Sequence, residues 1–580
     1  MSTHQTYAGS VRKLVLCLDI GTTFSGVSYV FLEPGQVPRI HNVTRFPGQE
    51  ISAGDCKIPS ILLYTPDGSV AYAGAEAAAP GIDMIVEDKG LTSVEWFKLH
   101  LRPARLDSGD FKTRDLPPLP RGKSVVSVFA DFIAYLVSCA KRFIQESHAN
   151  GNHLWASVEG NIEFVLSHPN GWEGAQQEKM RQATIVGGLI PNTDEGRKRV
   201  HFVTEGEASL HFCIQSGLTA ESIEDGKSVM IVDVGGGTVD ISSYGFVSKS
   251  PFVVEEVTAP DCILQGSTRV NFRASTYLKN LLKDSRYGND DDIKLMLEYF
   301  DKATKRVFKG ENESSYIRFG SLSCNDPEVM IRRGQLTLHG NVMLSFFQPA
   351  LDAIMAAIRK QCQIASRPPS TVFLVGGFAA NPWLYSSLKD GIGALDIALC
   401  RPDSHTDKAV ASGAASFFLE HFVSARVTKI TYGITYAPTY DIRNPEHVAR
   451  HDKMFTSLDG RTHVSGGFSP ILKRGTKVRE NEEYSGSFSH VWRHRQELDH
   501  IKIDILCYRG HDGDVRWRDV NNELYERLCM VEADTSQVAL VEQQGPNGGY
   551  YGLAFDVVLL CGLTELQAQI RRVEKGTERR

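Results

Sequence analysis

Two short stretches carry the residue types of phosphate chemistry. Asp19-Ile20-Gly21-Thr22-Thr23 follows the apolar run Leu14 to Leu18, and Asp233-Val234-Gly235-Gly236-Gly237-Thr238 follows Val229 to Val232. Each has an Asp, an aliphatic residue, a Gly, a small turn containing Thr, and a second run reaching Tyr29 or Tyr244. Glycine lets backbone N–H groups come close to an anion, and a row of such groups forms an anion-binding nest. Threonine hydroxyls add donors. A carboxylate beside phosphate needs a cation between them, and hydrated Mg²⁺ suits carboxylates plus phosphate oxygens. Gly21, Thr22 and Thr23 on one turn, and Gly235, Gly236, Gly237 and Thr238 on the other, are therefore candidate phosphate ligands. Asp19 and Asp233 are candidate magnesium ligands, through water. An ordinary hairpin would account for either stretch alone; the two matching copies point to a clamp around a nucleotide's phosphates.

The elements that must position these turns follow from periodicity. Both apolar runs are short, aliphatic and stopped by Gly, so each unit reads as a β-hairpin. Lys57 to Tyr64, Ile162 to Ser167, Val253 to Val257 and Val372 to Val375 read as further strands. Helices are expected over Val125 to Ile144, Gln176 to Ile185, Ala208 to Gly217, Asp292 to Phe308 and Asp407 to Phe418. Another runs from Val342 to Ile364 with a kink or break at Pro349, and Asn381-Pro382 caps and starts one more. Arg102 to Lys123 reads as an exposed connection. Alternation of strands and helices up to about residue 420 gives an α/β class. Beyond it the chain is strand-like: Lys429 to Ala437, Phe468 to Val478, Tyr484 to Val491, Ile501 to Tyr508 and Tyr551 to Leu559. The expected domains are residues 1–424 and a β-rich 425–580, the latter a small sandwich.

Composition narrows the class. Across 580 residues, hydrophobic content of 42% and charged content of 23% are those of a globular protein. A net charge of -6 does not point to nucleic acid or a membrane surface. Arg571, Arg572, Lys575, Arg579 and Arg580 are interleaved with Glu574 and Glu578, which reads as a solvated end. The 11 cysteines show no Cys-x-x-Cys spacing, which suits buried free thiols in a reducing compartment. No signal peptide is read before the first strand and no apolar run reads as long enough to span a bilayer. The expected location is the cytoplasm.

The order of these motifs resembles the actin, sugar kinase and heat-shock ATPase superfamily, and within it the heat shock protein 70 chaperone family. Asp19 to Ser25 is similar to that family's first phosphate motif, Ile231 to Asp240 to its second, and Phe373-Leu374-Val375-Gly376-Gly377 to its adenosine motif. Thr204 to Ala208 and Ala409 to Ala415 resemble its two connecting segments, and Ser469 to Thr476 a strand of its peptide-binding sandwich. The resemblance implies a two-lobed, actin-like ATPase built of duplicated ribonuclease-H-like halves, followed by an all-β sandwich. It implies ATP or ADP with Mg²⁺ as cofactors. By position, Lys98 would orient the γ-phosphate and the attacking water. Glu205 and Asp240 would support metal and water, and Lys305, Arg306, Gly376 and Gly377 would frame adenosine. Without the resemblance, a lysine in Trp96-Phe97-Lys98-Leu99 reads as solvated.

Departures from the family pattern are equally legible. Phe378-Ala379-Ala380 stands where a small polar residue and an adenine-stacking Arg are usual, and Lys309 replaces a small hydroxyl residue. Ser424-Ala425-Arg426-Val427 stands where the family has an acidic, Leu-rich linker. No helical lid is expected after the last strands, which resembles the family's divergent, lidless branch. The function implied is an ATP-binding, slowly hydrolysing chaperone-like protein whose β-domain binds unfolded polypeptide or a protein partner. A nucleotide-exchange factor or J-domain co-chaperone is implied beside it, with neither nucleic acid nor membrane as partner. The alternative is a pseudo-ATPase scaffold holding ATP as a structural or regulatory ligand; a small-molecule kinase of the same superfamily is the third reading.

Overall fold

The computed structural model describes residues 5–49, 54–106, 112–216, 226–249, 252–402, 408–562, 564–574 and 577–579. The expected positions Gly217, Asp407, Lys575 and Arg580 lie outside them. The chain divides into two compact units, Met1–Phe422 and Val423–Arg580.

The first unit holds two sheets of the same design. In one, β1 (Lys13–Ile20) and β2 (Phe24–Leu32) form an antiparallel hairpin, flanked by β3 (Ile40–Asn42) and β4 (Lys57–Pro59) on β2. A small separate sheet contains β5 (Ile61–Tyr64), β6 (Val70–Ala73) and β7 (Thr92–Glu95). On the other side of β1 come β8 (Ile162–His168) and β9 (Val200–Thr204), both parallel. The second sheet repeats this: β10 (Ser228–Val234) and β11 (Val239–Lys249) form the hairpin, and β12 (Phe252–Glu256) and β13 (Asp261–Ile263) flank β11. The three-stranded meander β14 (Ser315–Arg318), β15 (Ile331–Arg332) and β16 (Gln335–Leu338) intervenes in sequence. Then β17 (Thr371–Val375) pairs parallel with β10, and β18 (Ala398–Cys400) with β17.

Each sheet has its own core and its own long helix. Leu14, Leu16, Leu18 and Ile20 pack with Phe129, Phe132 and Leu136 of helix Val125–Ser147. Met230, Val232 and Val234 pack with Phe346, Phe347 and Ile354 of helix Gly340–Ile364. Two helices join the sheets: Glu205–Gln215, which follows β9, packs on β10, and the apolar Ala409–Leu419, which follows β18, packs on β1.

Several expectations are corrected. Lys57 to Tyr64 is two strands, because the chain turns at buried Ser60, whose Oγ donates to the Gly21 carbonyl at 2.8 Å. Of the kink or break expected at Pro349, the break is absent: the helix runs on through Pro349, with buried Phe346, Phe347, Ala350 and Ile354 on either side in the core. That helix is also long and apolar enough to cross a membrane by length and composition, contrary to the sequence reading; its buried stripe belongs to the second core. The helix expected through Phe308 holds only as far as Tyr299, then loosens into π and 3₁₀ turns that bury Lys305. Arg102 is buried and donates to the Leu99 carbonyl, so the connection after it is not wholly exposed.

In the second unit, Gly467–Leu472, Thr431–Tyr436, His500–Tyr508 and Tyr525–Asp534 form one sheet in that order. Glu483–Trp492, Gly548–Cys561, Leu566–Glu574 and Thr577–Arg579 form another. Ile501, Ile503 and Ile505 face inward while Lys502 and Asp504 face solvent, as the alternation predicts. One cluster takes Ile434, Leu472 and these isoleucines from the first sheet and Leu553, Phe555, Val557 and Leu559 from the second. Ser424 to Val427, expected as a linker, lies in strand Val423–Val427, which pairs with Lys477–Arg479 around buried Ala425. The expected solvated end is in part a sheet strand: Arg571 pairs with Glu483 and Asp556.

Candidate functional site: a cavity between two hairpin turns

The two hairpin turns meet. A Cβ added to Gly236 would lie 2.3 Å from Thr23 Oγ1, and one added to Gly237 would lie 2.3 Å from Thr22 Oγ1. Only glycine permits that approach. The second turn is further fixed by the N-terminus of helix Ser267–Leu281, where the Ser267 and Thr268 amides donate to the carbonyls of Gly235 and Gly236. The first is fixed by Ser25 and Ser60, whose hydroxyls bond each other at 2.8 Å while the Gly21 amide donates to Ser25 Oγ. Among the described residues, the amides of Thr22, Thr23, Gly236 and Gly237 have no backbone acceptor. They remain donors for a ligand.

The turns open on a cavity of about 440 Å³. Asp19, Gly21, Thr22, Thr23, Lys98, Glu205, Asp233, Gly235, Gly236, Gly237, Thr238, Lys305, Arg306, Gly376 and Gly377 all line it. Positions far apart in sequence are thus brought to one surface. Asp240 is the candidate that is not: it lies on β11 opposite Asp233, 1% exposed, with Oδ1 accepting from the Asn170 amide at 2.5 Å. Its side chain serves the wall behind the lining.

Charge inside the cavity is organised in pairs. Lys98 sits on a 3₁₀ turn, Phe97–Leu101, and is 3% exposed rather than solvated. Its Nζ lies 2.5 Å from Glu205 Oε1 and 5.7 Å from the centre of the Trp172 ring. Glu205 opens the helix that Thr204 caps by accepting from the Glu207 amide. Buried Lys305 pairs with Asp301 and donates to Asn271 Oδ1; burial, only partly offset by Asp301, pulls its pKa down.

The two aspartates differ. Asp19 Oδ1 accepts from Ser167 Oγ at 3.1 Å, and Oδ2 lies 2.9 Å from Lys57 Nζ. Asp233 has no lysine in contact among the described residues; its Oδ2 accepts from Ser209 Oγ at 2.9 Å. Burial, reinforced by the Glu205 charge, pushes Asp233 up to about 7. Asp240 is raised as well, by burial and then by Glu205. Gly376, with φ of +92°, brings backbone against Asp233: a Cβ there would be 2.5 Å from Oδ1.

Lys57 also lines the cavity, together with Phe24, Asp55, Ser267, Asp301, Phe378, Ala380, Asn381 and Val410. In sequence Lys57 gives no signal, because it stands at a strand start without a motif around it. Asn381 reads there only as a helix cap; it caps, accepting from the Leu384 amide, and also donates to the Lys305 carbonyl at 2.8 Å.

The fold and the cavity define an α/β protein with two matched phosphate-type hairpins. No family model matches the chain. It is 22% identical over 506 residues to heat shock 70 kDa protein 12A of Homo sapiens, covering 73% of this chain and 72% of that protein. It is 20% identical over 590 residues to heat shock 70 kDa protein 12B of Homo sapiens, covering 86% and 81%. Chaperone protein DnaK of Buchnera aphidicola subsp. Schizaphis graminum (strain Sg) is 24% identical over 419 residues, covering 69% and 58%. The chain is heat shock protein 70-like and resembles heat shock 70 kDa protein 12A.

Proposed function

We propose that the cavity binds ATP and ADP with Mg²⁺ and that the chain slowly hydrolyses ATP as a chaperone-like protein. The observation that carries this reading is the meeting of two hairpin turns of one design, with their glycines and threonines interleaved, beside a buried Lys98–Glu205 pair. The residues present suit the group. Unused amides at both turns suit phosphate oxygens, and the carboxylates of Asp19 and Asp233 suit a hydrated divalent cation. The bound Mg²⁺ would neutralise phosphate charge as it develops. Thr22, Thr23 and Gly235 to Thr238 would hold the phosphates in place, which is most of what phosphoryl transfer asks of a protein. Glu205 would accept a hydrogen bond from the attacking water, and Lys98 would hold Glu205 and the γ-phosphate in register. Lys305, Arg306, Gly376, Gly377 and Phe378 would frame the nucleoside.

In this reading the two sheets of the first unit are the lobes of an actin-like ATPase, and the second unit is a β-sandwich. Exposed Tyr436, Ile442, Phe455 and Trp492 on the second unit would offer apolar contacts to unfolded polypeptide or a protein partner. All described cysteines are free, in keeping with a reducing compartment such as the cytoplasm. A nucleotide-exchange or J-domain co-chaperone would complete the cycle. The test is ATP binding and turnover by the purified chain, with Mg²⁺ and with chelator, beside Asp233→Asn. Slow Mg²⁺-dependent turnover lost in the variant is expected; no binding of ATP at saturating concentrations would sink the proposal. Binding without turnover would favour the scaffold reading, to which the Lys57–Asp19 pair lends weight, because an aspartate expected to serve a metal already holds a cation.

A further inference from the structure

Three residues of three adjacent strands lie in one row. Asp19 on β1 pairs with Gly26 on β2, and Gly26 pairs with Lys57 on β4. Paired residues of antiparallel strands point to the same face, and neighbouring strands are about 4.8 Å apart. Lys57 therefore stands roughly 10 Å from Asp19 across the sheet, within reach of a lysine only if nothing stands between. Gly26 leaves that passage open: a Cβ there would come within 3.3 Å of Lys57 Cγ. The lysine stem crosses over Gly26 and sets its ammonium 2.9 Å from Asp19 Oδ2, on the lining of the cavity.

The other lysines of the cavity are committed deeper in the fold, Lys98 to Glu205 and Lys305 to Asp301 and Asn271. Lys57 is different. Its side chain is 25% exposed, and among the described residues Asp19 is its one recorded ion-pair partner. A compact ammonium on a flexible stem, with three donors, can hold a carboxylate and a phosphate oxygen together or move from one to the other.

We propose that Lys57 is a resident counter-cation of the phosphate site: it supplies from within the chain the positive charge between Asp19 and the nucleotide phosphates, so that nucleotide binds with only weak dependence on Mg²⁺. The inference rests on the nucleotide-binding reading above and adds to it a residue and a property. Mg²⁺ would remain the partner of Asp233, which no lysine touches among the described residues.

The test measures ATP and ADP affinity of the full chain by calorimetry, in excess Mg²⁺ and in excess EDTA, for wild type, Lys57→Met and Lys57→Gln. Nucleotide-induced thermal stabilisation under the same two conditions gives a second readout independent of turnover. Wild type is expected to lose less than about tenfold in affinity on chelation, and Lys57→Met about a hundredfold, the difference being roughly 1.4 kcal/mol. Lys57→Gln keeps a hydrogen-bond donor to Asp19 without the charge; it should fold even if Met does not and behave like Met in EDTA. Equal loss on chelation in wild type and both variants would overturn the role of Lys57 while leaving nucleotide binding intact. Absence of binding to wild type in both conditions would remove the nucleotide reading and this inference with it.

Discussion

Asp19 and Asp233 occupy matching positions in two matching hairpins, yet their surroundings are electrically opposite. Across the first sheet the row reads Asp19, Gly26, Lys57; across the second it reads Asp233, Asp240, Cys262. The first row is neutral within itself. The second carries two buried carboxylates and no cation, and both have pKa values raised by that burial. A repeated backbone therefore does not bring a repeated charge. In the reading proposed above, one hairpin would meet phosphate with the ammonium of Lys57 on the strand beside it, and the other would wait for a cation or a proton.

Gly376 presses backbone against the second hairpin, and the largest expected effect probes that. Gly376→Ala would force a side chain into a φ of +92° and within 2.5 Å of both Asp233 Oδ1 and the Val234 carbonyl. A loss of more than about 3 kcal/mol is expected, against a change within about 0.5 kcal/mol for Gly377→Ala. At Gly377 an added Cβ meets nothing within 4 Å. Urea unfolding of the two variants measures the contrast, and equal stabilities would refute the crowding of Asp233.

Next in size is the Lys98–Glu205 pair on the cavity lining. Lys98→Met leaves the Glu205 carboxylate largely buried without its ammonium, 3% exposure having kept Lys98 from water. Removing one partner of such a pair costs about 3 kcal/mol, most of it the stranded charge. Lys98→Met with Glu205→Gln should therefore be more stable than Lys98→Met alone. If the double variant is the weaker protein in urea, the pair stabilises through packing and not through charge.

The asymmetry itself is tested by Asp233→Asn beside Asp19→Asn, read as ATP affinity in saturating Mg²⁺ by calorimetry. Asp233→Asn should lose up to what chelation costs the wild type, at most about tenfold or roughly 1.4 kcal/mol. Asp19→Asn removes a carboxylate but also releases Lys57, so a few-fold loss is expected. Equal losses would mean that Lys57 does not neutralise Asp19 once nucleotide is bound.

These contrasts also mark what can be read in the sequence. The hairpins are legible because each is a local pattern: an apolar run, then Asp, Gly and Thr close together. The cavity lining follows from them and from the resemblance. Lys57 is not legible, since its meaning comes from two strand pairings and one missing side chain at Gly26. Lys98 reads as solvated because its burial depends on Trp172 and Glu205, distant in sequence. Asp240 looks equivalent to its neighbours because sequence does not tell a lining residue from one behind the lining. In the second unit, Tyr525–Asp534 gives no strand signal because charged and half-buried residues mix along it without clean alternation. Leu566–Glu574 is hidden by its basic residues; the charge of Arg571 is answered by Glu483 and Asp556 on neighbouring strands.

The smallest effect tests the second hairpin in the absence of ligands. Asp233 is raised to about 7 in the folded chain, chiefly by burial, from an unfolded value near 3.9. Between those values the folded state holds a proton that the unfolded state has released. The contribution of Asp233 to stability is thus fully present below the unfolded value and is lost as pH rises through the folded one. From about pH 6 to pH 7 the folded state is still mostly protonated at this site, so the loss over that unit is about 1 kcal/mol. Asp240, raised to about 8, adds a slope of its own over the same window, so Asp233→Asn, which cannot titrate, should remove the Asp233 share and roughly halve the slope. Urea unfolding in chelator at several pH values reads it directly. Saturating Mg²⁺ should flatten the wild-type slope too, because a cation bound to Asp233 replaces the proton. A slope undiminished by Asp233→Asn would mean that Asp233 does not titrate in this window and would leave it electrically closer to Asp19 than its row suggests.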